Sequence, residues 1–157
     1  MALLKLVIFD YSGTLSLEST LFSRSDFLKT QLKESGLMDL GIESPETFWG
    51  EIVGPTWQEG STTSAGYKKV MRDRIIATLY QTMSTVPCVQ ISDAASSFVD
   101  SYLSHSAIDQ RWRPILYKLQ NHPSVKVIIA TDHYAEATGY IIRFLHELQI
   151  QAVAAKD

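Results

Sequence analysis

Two short apolar runs, each ending at a polar residue, constrain the fold of this chain more than any other feature. Residues 3–9 form the first run, which stops at Asp10, and residues 125–130 form the second, which stops at Thr131. A run of this length, rich in branched residues and closed by a turn signal, is typical of a strand buried on both faces of a sheet. The two runs therefore predict two inner strands of one sheet.

A βαβ pattern follows the second run. Apolar residues recur at helical spacing between positions 135 and 148, and a third strand-like run occupies residues 151–155. Strand, helix and strand joined by short connections predict a parallel sheet. We therefore expect an α/β fold with a Rossmann-like parallel sheet.

A long helical segment separates the first two strands. Residues 17–106 show no strong strand pattern, and their clearest periodic stretch places Val70-Met71, Ile75-Ile76, Leu79-Tyr80 and Met83 on one helical stripe. This organisation predicts an α-helical insert at residues 17–106. Residues 1–16 and 107–157 would then form the α/β core.

Composition excludes several classes of protein. The chain has 157 residues, of which 45% are apolar and 20% charged, so it can bury a core of its own. A net charge of −3 argues against nucleic acid or an anionic membrane as the partner, and the apolar runs are too short to span a bilayer. The single cysteine, Cys88, and a start without the pattern of a cleavable signal lead us to expect a cytoplasmic protein.

The polar residues after the strands define a candidate ligand site, because parallel sheets bind ligands beyond the carboxyl ends of their strands. Asp10 can be a nucleophile or a metal ligand, and Gly13 permits a tight turn that brings backbone N–H groups near an anion. Thr131 adds a hydroxyl, and the N–H groups of Asp132 and His133 would begin a helix, which favours phosphate. Asp10 could instead only cap the loop, Thr131 could serve as a helix N-cap while binding an anion, and His133 could simply face solvent.

Residues 7–15 and 127–131 resemble the first two signatures of the haloacid dehalogenase superfamily. The first signature is an apolar strand followed by Asp-x-Asp-Gly-Thr-Leu or a variant, and residues 7–15 read Val-Ile-Phe-Asp-Tyr-Ser-Gly-Thr-Leu. The second signature is a strand that ends in Ser or Thr. A helical cap inserted just after the first signature is common in one subgroup. The resemblance implies a capped, Rossmann-like hydrolase of a small anionic substrate, phosphorylated or haloacid-like.

The resemblance also implies a role for individual residues. Asp10 would be the nucleophile that forms a covalent aspartyl intermediate, Thr14 would steady the loop, and Thr131 would bind the transferring group. Mg²⁺ would lie on the carboxylate of Asp10 and the backbone carbonyl of Ser12. The residues expected to contact the substrate anion are Ser12, Gly13, Thr14, Thr131, Asp132 and His133.

The chain departs from the family pattern in two places. Family phosphatases carry a second Asp as general acid/base where this chain has Ser12, whose hydroxyl has too high a pKa for that task. Family branches that cleave C–halogen or P–C bonds also lack this Asp, so Ser12 argues mainly against an ordinary phosphomonoesterase. The third signature, a Lys, and the fourth, an acidic pair that holds Mg²⁺, have no clear counterpart, since Lys156 falls too early. We therefore expect weakened Mg²⁺ binding and a C-terminally truncated core.

The same departures support a hypothesis from a different class, a non-catalytic binding or interaction module that keeps the fold. In the family, later strands lie on the far side of the first strand. Without them, residues 6–9 would form an open apolar edge. We expect a second copy of the chain, another partner, a swapped element or part of the insert to cover this edge.

Overall fold

Two parallel strands and a series of helices make up the described part of the chain. The computed structural model describes residues 4–55, 64–81 and 86–130. Strand β1 spans Lys5–Asp10 and pairs in parallel with β2, Val125–Ala130. The α/β prediction is therefore confirmed in its coarser form, a mostly helical chain with a small parallel sheet. The helix predicted at 135–148 and the strand predicted at 151–155 lie outside the described residues.

In the sequence, the helices of the described residues all come after β1 and before β2. In chain order they are a 3₁₀ helix at Glu18–Ser23, α1 at Ser25–Glu34, a 3₁₀ turn at Met38–Leu40, α2 at Pro45–Thr47, a π-helical turn at Phe48–Val53, α3 at Ser64–Gln81, α4 at Cys88–Ser104, a 3₁₀ turn at Gln110–Trp112 and α5 at Arg113–Gln120. None of those described is long and apolar enough to cross a membrane.

Local sequence explains several helix ends. Ser44 caps α2 by accepting a hydrogen bond of 3.2 Å from the Thr47 N–H, and Pro45 occupies the first helical position, where its missing N–H costs nothing. Helix α4 begins at Cys88, and the carbonyl of Pro87 accepts the first helical hydrogen bond from the N–H of Ile91 at 3.3 Å.

The described residues form two compact units. One unit joins the residues up to Thr20 to those from His105 onward, and the other spans Leu21–Ser104. The sequence places the boundaries between core and insert close by, at 16/17 and 106/107. Whether the second unit acts as a cap stays a prediction.

Helix α5 covers one face of the sheet in the first unit. Val127 and Ile129 of β2 are buried together with Leu116 of α5. At the same face, the rings of Phe9 and Trp112 meet edge to face with their centroids 5.4 Å apart. This small core fixes the strand that carries Asp10.

The opposite face of β1 is open in the described residues. The side chains of Leu6 and Ile8 are 54% and 60% exposed, and Leu4 just before the strand is 67% exposed. The expectation of burial on both faces is therefore met on one face only. The reason is that α5 packs on a single side of the sheet.

The second unit has an aromatic core of its own. The buried Phe22 ring packs edge to face against Phe27, Phe98 and Tyr102, with centroid separations of 5.1, 5.6 and 5.0 Å. Phe48, at the start of the π-helical turn, lies 4.6 Å from the Phe98 ring. These contacts join the segment before α1 to α4, so the unit does not depend on a strand.

Candidate functional site

Asp10 is the last residue of β1, and its side chain is exposed. Its Oδ1 accepts a hydrogen bond of 2.7 Å from the backbone N–H of Tyr11. This hydrogen bond fixes the position of one carboxylate oxygen. The other oxygen, Oδ2, then remains for an incoming ligand.

The residues after Asp10 form a compact turn around one carbonyl. The carbonyl oxygen of Tyr11 accepts hydrogen bonds of 2.9 Å from the N–H groups of both Leu15 and Ser16. Gly13 has a φ of +79°, in the left-handed region that side chains other than glycine's rarely enter. Its N–H donates a 2.8 Å hydrogen bond to the Ser16 carbonyl, so it serves the turn itself.

Two aromatic side chains tie this turn to the segment that follows the second unit. The buried hydroxyl of Tyr11 donates to the backbone carbonyl of Ser106. The indole N–H of Trp112 donates a 2.8 Å hydrogen bond to the carbonyl of Thr14. Sequence reasoning did not find these positioning contacts, because their partners lie about a hundred residues apart and share no local pattern.

A third connection runs through Asp109. Its backbone N–H donates a 2.8 Å hydrogen bond to the carbonyl of Leu15. Its carboxylate accepts hydrogen bonds from the backbone N–H of Arg111 at 2.9 Å and from the guanidinium at 2.8 Å. The Arg111 guanidinium and N–H lower the pKa of Asp109 to about 2. Asp109 is therefore an ionised acceptor that shapes the turn at Gln110–Trp112, and it does not act as a proton donor near neutral pH.

The structure brings part of the predicted site together. Asp10, Ser12, Gly13 and Thr14 follow one another at the carboxyl end of β1, and Asp10 is opposite Ala130, the last residue of β2. The carboxyl ends of both strands therefore lie side by side, as the parallel sheet predicts. The remaining predicted residues, Thr131, Asp132 and His133, lie outside the described residues.

The described residues supply only part of a magnesium site. Carboxylate and carbonyl oxygens suit Mg²⁺, and the ion commonly takes one or two carboxylates while it keeps several waters and shares a substrate phosphate. Asp10 and the carbonyl of Ser12 offer that minimum. Across residues 4–55, 64–81 and 86–130, no group of three or more His, Cys, Asp or Glu side chains could hold a metal. The described donors of the predicted site are therefore the Asp10 carboxylate and the Ser12 carbonyl, and Mg²⁺ binding stays a prediction.

Comparison of the chain with protein-family models, with curated proteins and with solved structures found no match in any of the three.

Proposed function

We propose that this protein is a hydrolase of small anionic substrates, phosphorylated or haloacid-like, and that Asp10 is its nucleophile. The observation that carries the proposal is the place of Asp10, an exposed carboxylate at the end of a parallel strand directly beside the end of a second strand. That edge is where open parallel sheets bind ligands. The finer assignment, a Rossmann-like core of the haloacid dehalogenase type with a helical cap, working in the cytoplasm, belongs to the same proposal.

The chemistry follows from the geometry of one carboxylate. The Tyr11 N–H holds Oδ1 of Asp10, which leaves Oδ2 to attack phosphorus or carbon. The bond to the leaving group breaks as the Asp10 bond forms, and the leaving group takes the electron pair. Water then hydrolyses the aspartyl intermediate and restores the carboxylate. When bound, Mg²⁺ on Asp10 and the Ser12 carbonyl would offset negative charge on a phosphoryl substrate.

The remaining predicted residues would hold the substrate. Thr131 would donate its hydroxyl to the transferring group, and the N–H groups of Asp132 and His133 would bind its anionic oxygens. The hydrogen bonds of Tyr11 and Trp112 would keep the Asp10 turn in place while substrates exchange. Positioning of this kind contributes to rate because a reacting carboxylate must be held close to its target.

Turnover of a substrate panel tests the proposal. The wild-type protein, Asp10→Asn and the control Asp93→Asn, an exposed position on α4, are compared on phosphate esters and short haloacids. Asn at position 10 keeps an oxygen that accepts from the Tyr11 N–H, so the fold should persist while turnover is lost. Turnover that survives in Asp10→Asn would contradict the nucleophile assignment.

A second candidate function, a non-catalytic interaction module, is favoured by the open face of β1. Leu6 and Ile8 are more than half exposed, and the sheet of the described residues leaves β1 paired along one edge only. Across a two-fold axis, a second copy of the chain could pair its own β1 against this edge and pack its Leu6 and Ile8 against this face. This candidate predicts that no substrate turns over.

A measurement of self-association tests that candidate directly. Sedimentation of the wild-type protein should show a dimer that Ile8→Lys dissociates and that Tyr80→Ser, an exposed apolar site in the other unit, leaves intact. A protein that stays monomeric at all concentrations would rule out a second copy of the chain as the partner.

A further inference from the structure

We infer that the Asp10 site takes phosphoryl groups from donors whose leaving group is already acidic, acyl phosphates above all, and then retains the phosphoryl group on Asp10. The inference rests on the proposed function, since it requires Asp10 to be the nucleophile. It goes further by naming a substrate class and a long-lived product state. Both follow from what surrounds the carboxylate.

Ser12 determines which leaving groups can depart. It stands two residues after Asp10 at an exposed position of the turn, where the resembled phosphatases place a carboxylic acid. A seryl hydroxyl does not give up its proton near neutral pH, so an alkoxide leaving group would depart unprotonated. Loss of general acid help costs about 10²- to 10⁴-fold in rate. A carboxylate leaving group, whose acid has a pKa of about 4, needs no such proton.

The described neighbours of the turn do not replace the missing acid. The N–H groups of Gly13 and Leu15 donate to carbonyls of the turn itself, at 2.8 and 2.9 Å. Asp109, whose N–H bonds to the Leu15 carbonyl, carries a carboxylate that the Arg111 guanidinium keeps ionised. A group held as an anion accepts hydrogen bonds and has no proton to give at neutral pH.

The transfer balances without any proton movement. An oxygen of the Asp10 carboxylate bonds to phosphorus while the bond from phosphorus to the acyl oxygen breaks, and the acyl group leaves as a carboxylate with that electron pair. Hydrolysis of the resulting aspartyl phosphate requires a water to lose a proton as it attacks. Ser12 is too weak a base to accept that proton, so breakdown should be slow and the phosphorylated protein should accumulate.

Intact-mass measurement with two phosphoryl donors of different leaving-group acidity tests the inference. Acetyl phosphate, which leaves as a carboxylate, is compared with glycerol 3-phosphate, which leaves as an alkoxide, both in the presence of Mg²⁺. We expect acetyl phosphate to add one phosphoryl group that persists after the donor is removed, and glycerol 3-phosphate to add none. Asp10→Asn should stay unlabelled with both donors.

Substitutions at position 12 provide a matched pair. Ser12→Asp supplies the acid/base and should shorten the lifetime of the label by about 10²- to 10⁴-fold. Ser12→Asn has nearly the same shape as Ser12→Asp without an ionisable proton, so its label should outlast that of Ser12→Asp. Because both side chains occupy the same exposed position of the turn, a difference between them reports proton transfer.

The possible outcomes distinguish failure of the inference from failure of the proposed function. Equal labelling of Asp10 by both donors, or a wild-type label as short-lived as that of Ser12→Asp, would overturn the inference and leave Asp10 as the nucleophile. Turnover of haloacids that depends on Asp10, with no phosphoryl label from either donor, would also overturn the inference alone. The absence of both label and turnover in the wild type and in Ser12→Asp would overturn the proposed function as well.

Discussion

The indole N–H of Trp112 donates a hydrogen bond of 2.8 Å to the backbone carbonyl of Thr14, a residue 98 positions earlier in the chain. The same indole ring packs edge to face against Phe9, which precedes Asp10 on β1. One side chain therefore contacts the chain on both sides of the candidate nucleophile. The shape of the Asp10 turn depends on the segment that follows the second unit as much as on the turn's own sequence.

Removal of the indole N–H should destabilise the first unit. Trp112→Phe keeps an aromatic ring for Phe9 and loses the bond to the Thr14 carbonyl, so the free energy of unfolding should fall by about 1–2 kcal/mol. Urea unfolding followed by far-UV circular dichroism measures the change. The control Trp49→Phe, at a site 41% exposed in the other unit, should shift it by less than about 0.5 kcal/mol. Equal effects at the two positions would contradict the positioning role of Trp112.

Gly13 should resist substitution because of its backbone conformation. A Cβ built there would lie 3.4 Å from the methyl group of Thr20, an ordinary contact, so the cost of Gly13→Ala comes from its φ of +79° and should be about 1–2 kcal/mol. Gly50→Ala is the matched control, since its Cβ meets nothing within 4 Å and its turn is helical. Gly50→Ala should raise the free energy of unfolding by about 0.5–1 kcal/mol. Both values come from denaturant unfolding, and destabilisation at Gly50 alone would contradict the interpretation.

The ion pair of Asp109 and Arg111 predicts a pH dependence of stability. Arg111 lowers the folded-state pKa of Asp109 from 3.8 to about 2. The stabilisation is therefore complete above the unfolded pKa and is lost as the pH falls from about 4 toward 2. Asp109→Asn should have a lower melting temperature than the wild type at pH 7, and the gap should narrow across that window. The difference in melting temperature between Arg111→Gln and the wild type should narrow across the same window. A difference that stays constant down to pH 2 would contradict the assignment.

The aromatic core of the second unit should depend on Phe22. Its ring is 2% exposed and contacts the rings of Phe27, Phe98 and Tyr102. Phe22→Ala should therefore cost about 3–5 kcal/mol of unfolding free energy. Tyr80→Ala, at a side chain 74% exposed, should cost far less in the same urea titration. Similar losses at both positions would show that Phe22 is not central to this core.

Local pattern was enough to predict the two described strands and helix α3. The apolar run that stops at Asp10 became β1. Of the predicted stripe, Met71, Ile75 and Leu79 are buried on α3, whereas Tyr80 is 74% exposed. The spacing of apolar residues and the positions of turn residues carry this information, and both are local features of the sequence. The exposure of Leu6 and Ile8 could not be predicted in the same way, because burial of a strand face depends on which distant element packs against it.

The candidate site likewise combines features that the local sequence predicts with features that it does not. Strand-end position marked Asp10 and Gly13, and the resemblance to the family signature added Ser12 and Thr14. Neither indicated that Tyr11, the variable position of the motif, is wholly buried with its hydroxyl bound 95 residues away at Ser106. Contacts of that range are set by tertiary packing and leave no local periodicity.

Reductive trapping of position 10 tests the central claim, that Asp10 is a covalent nucleophile, most directly. The protein is mixed with acetyl phosphate or with a short haloacid and then treated with borohydride, which reduces an aspartyl phosphate or ester to homoserine and spares a free carboxylate. Peptide mass mapping should then find homoserine at position 10 in the wild type, with Asp26 and Asp93 unchanged. Aspartate that remains intact at position 10 after both reagents, under conditions in which substrate is consumed, would contradict the account.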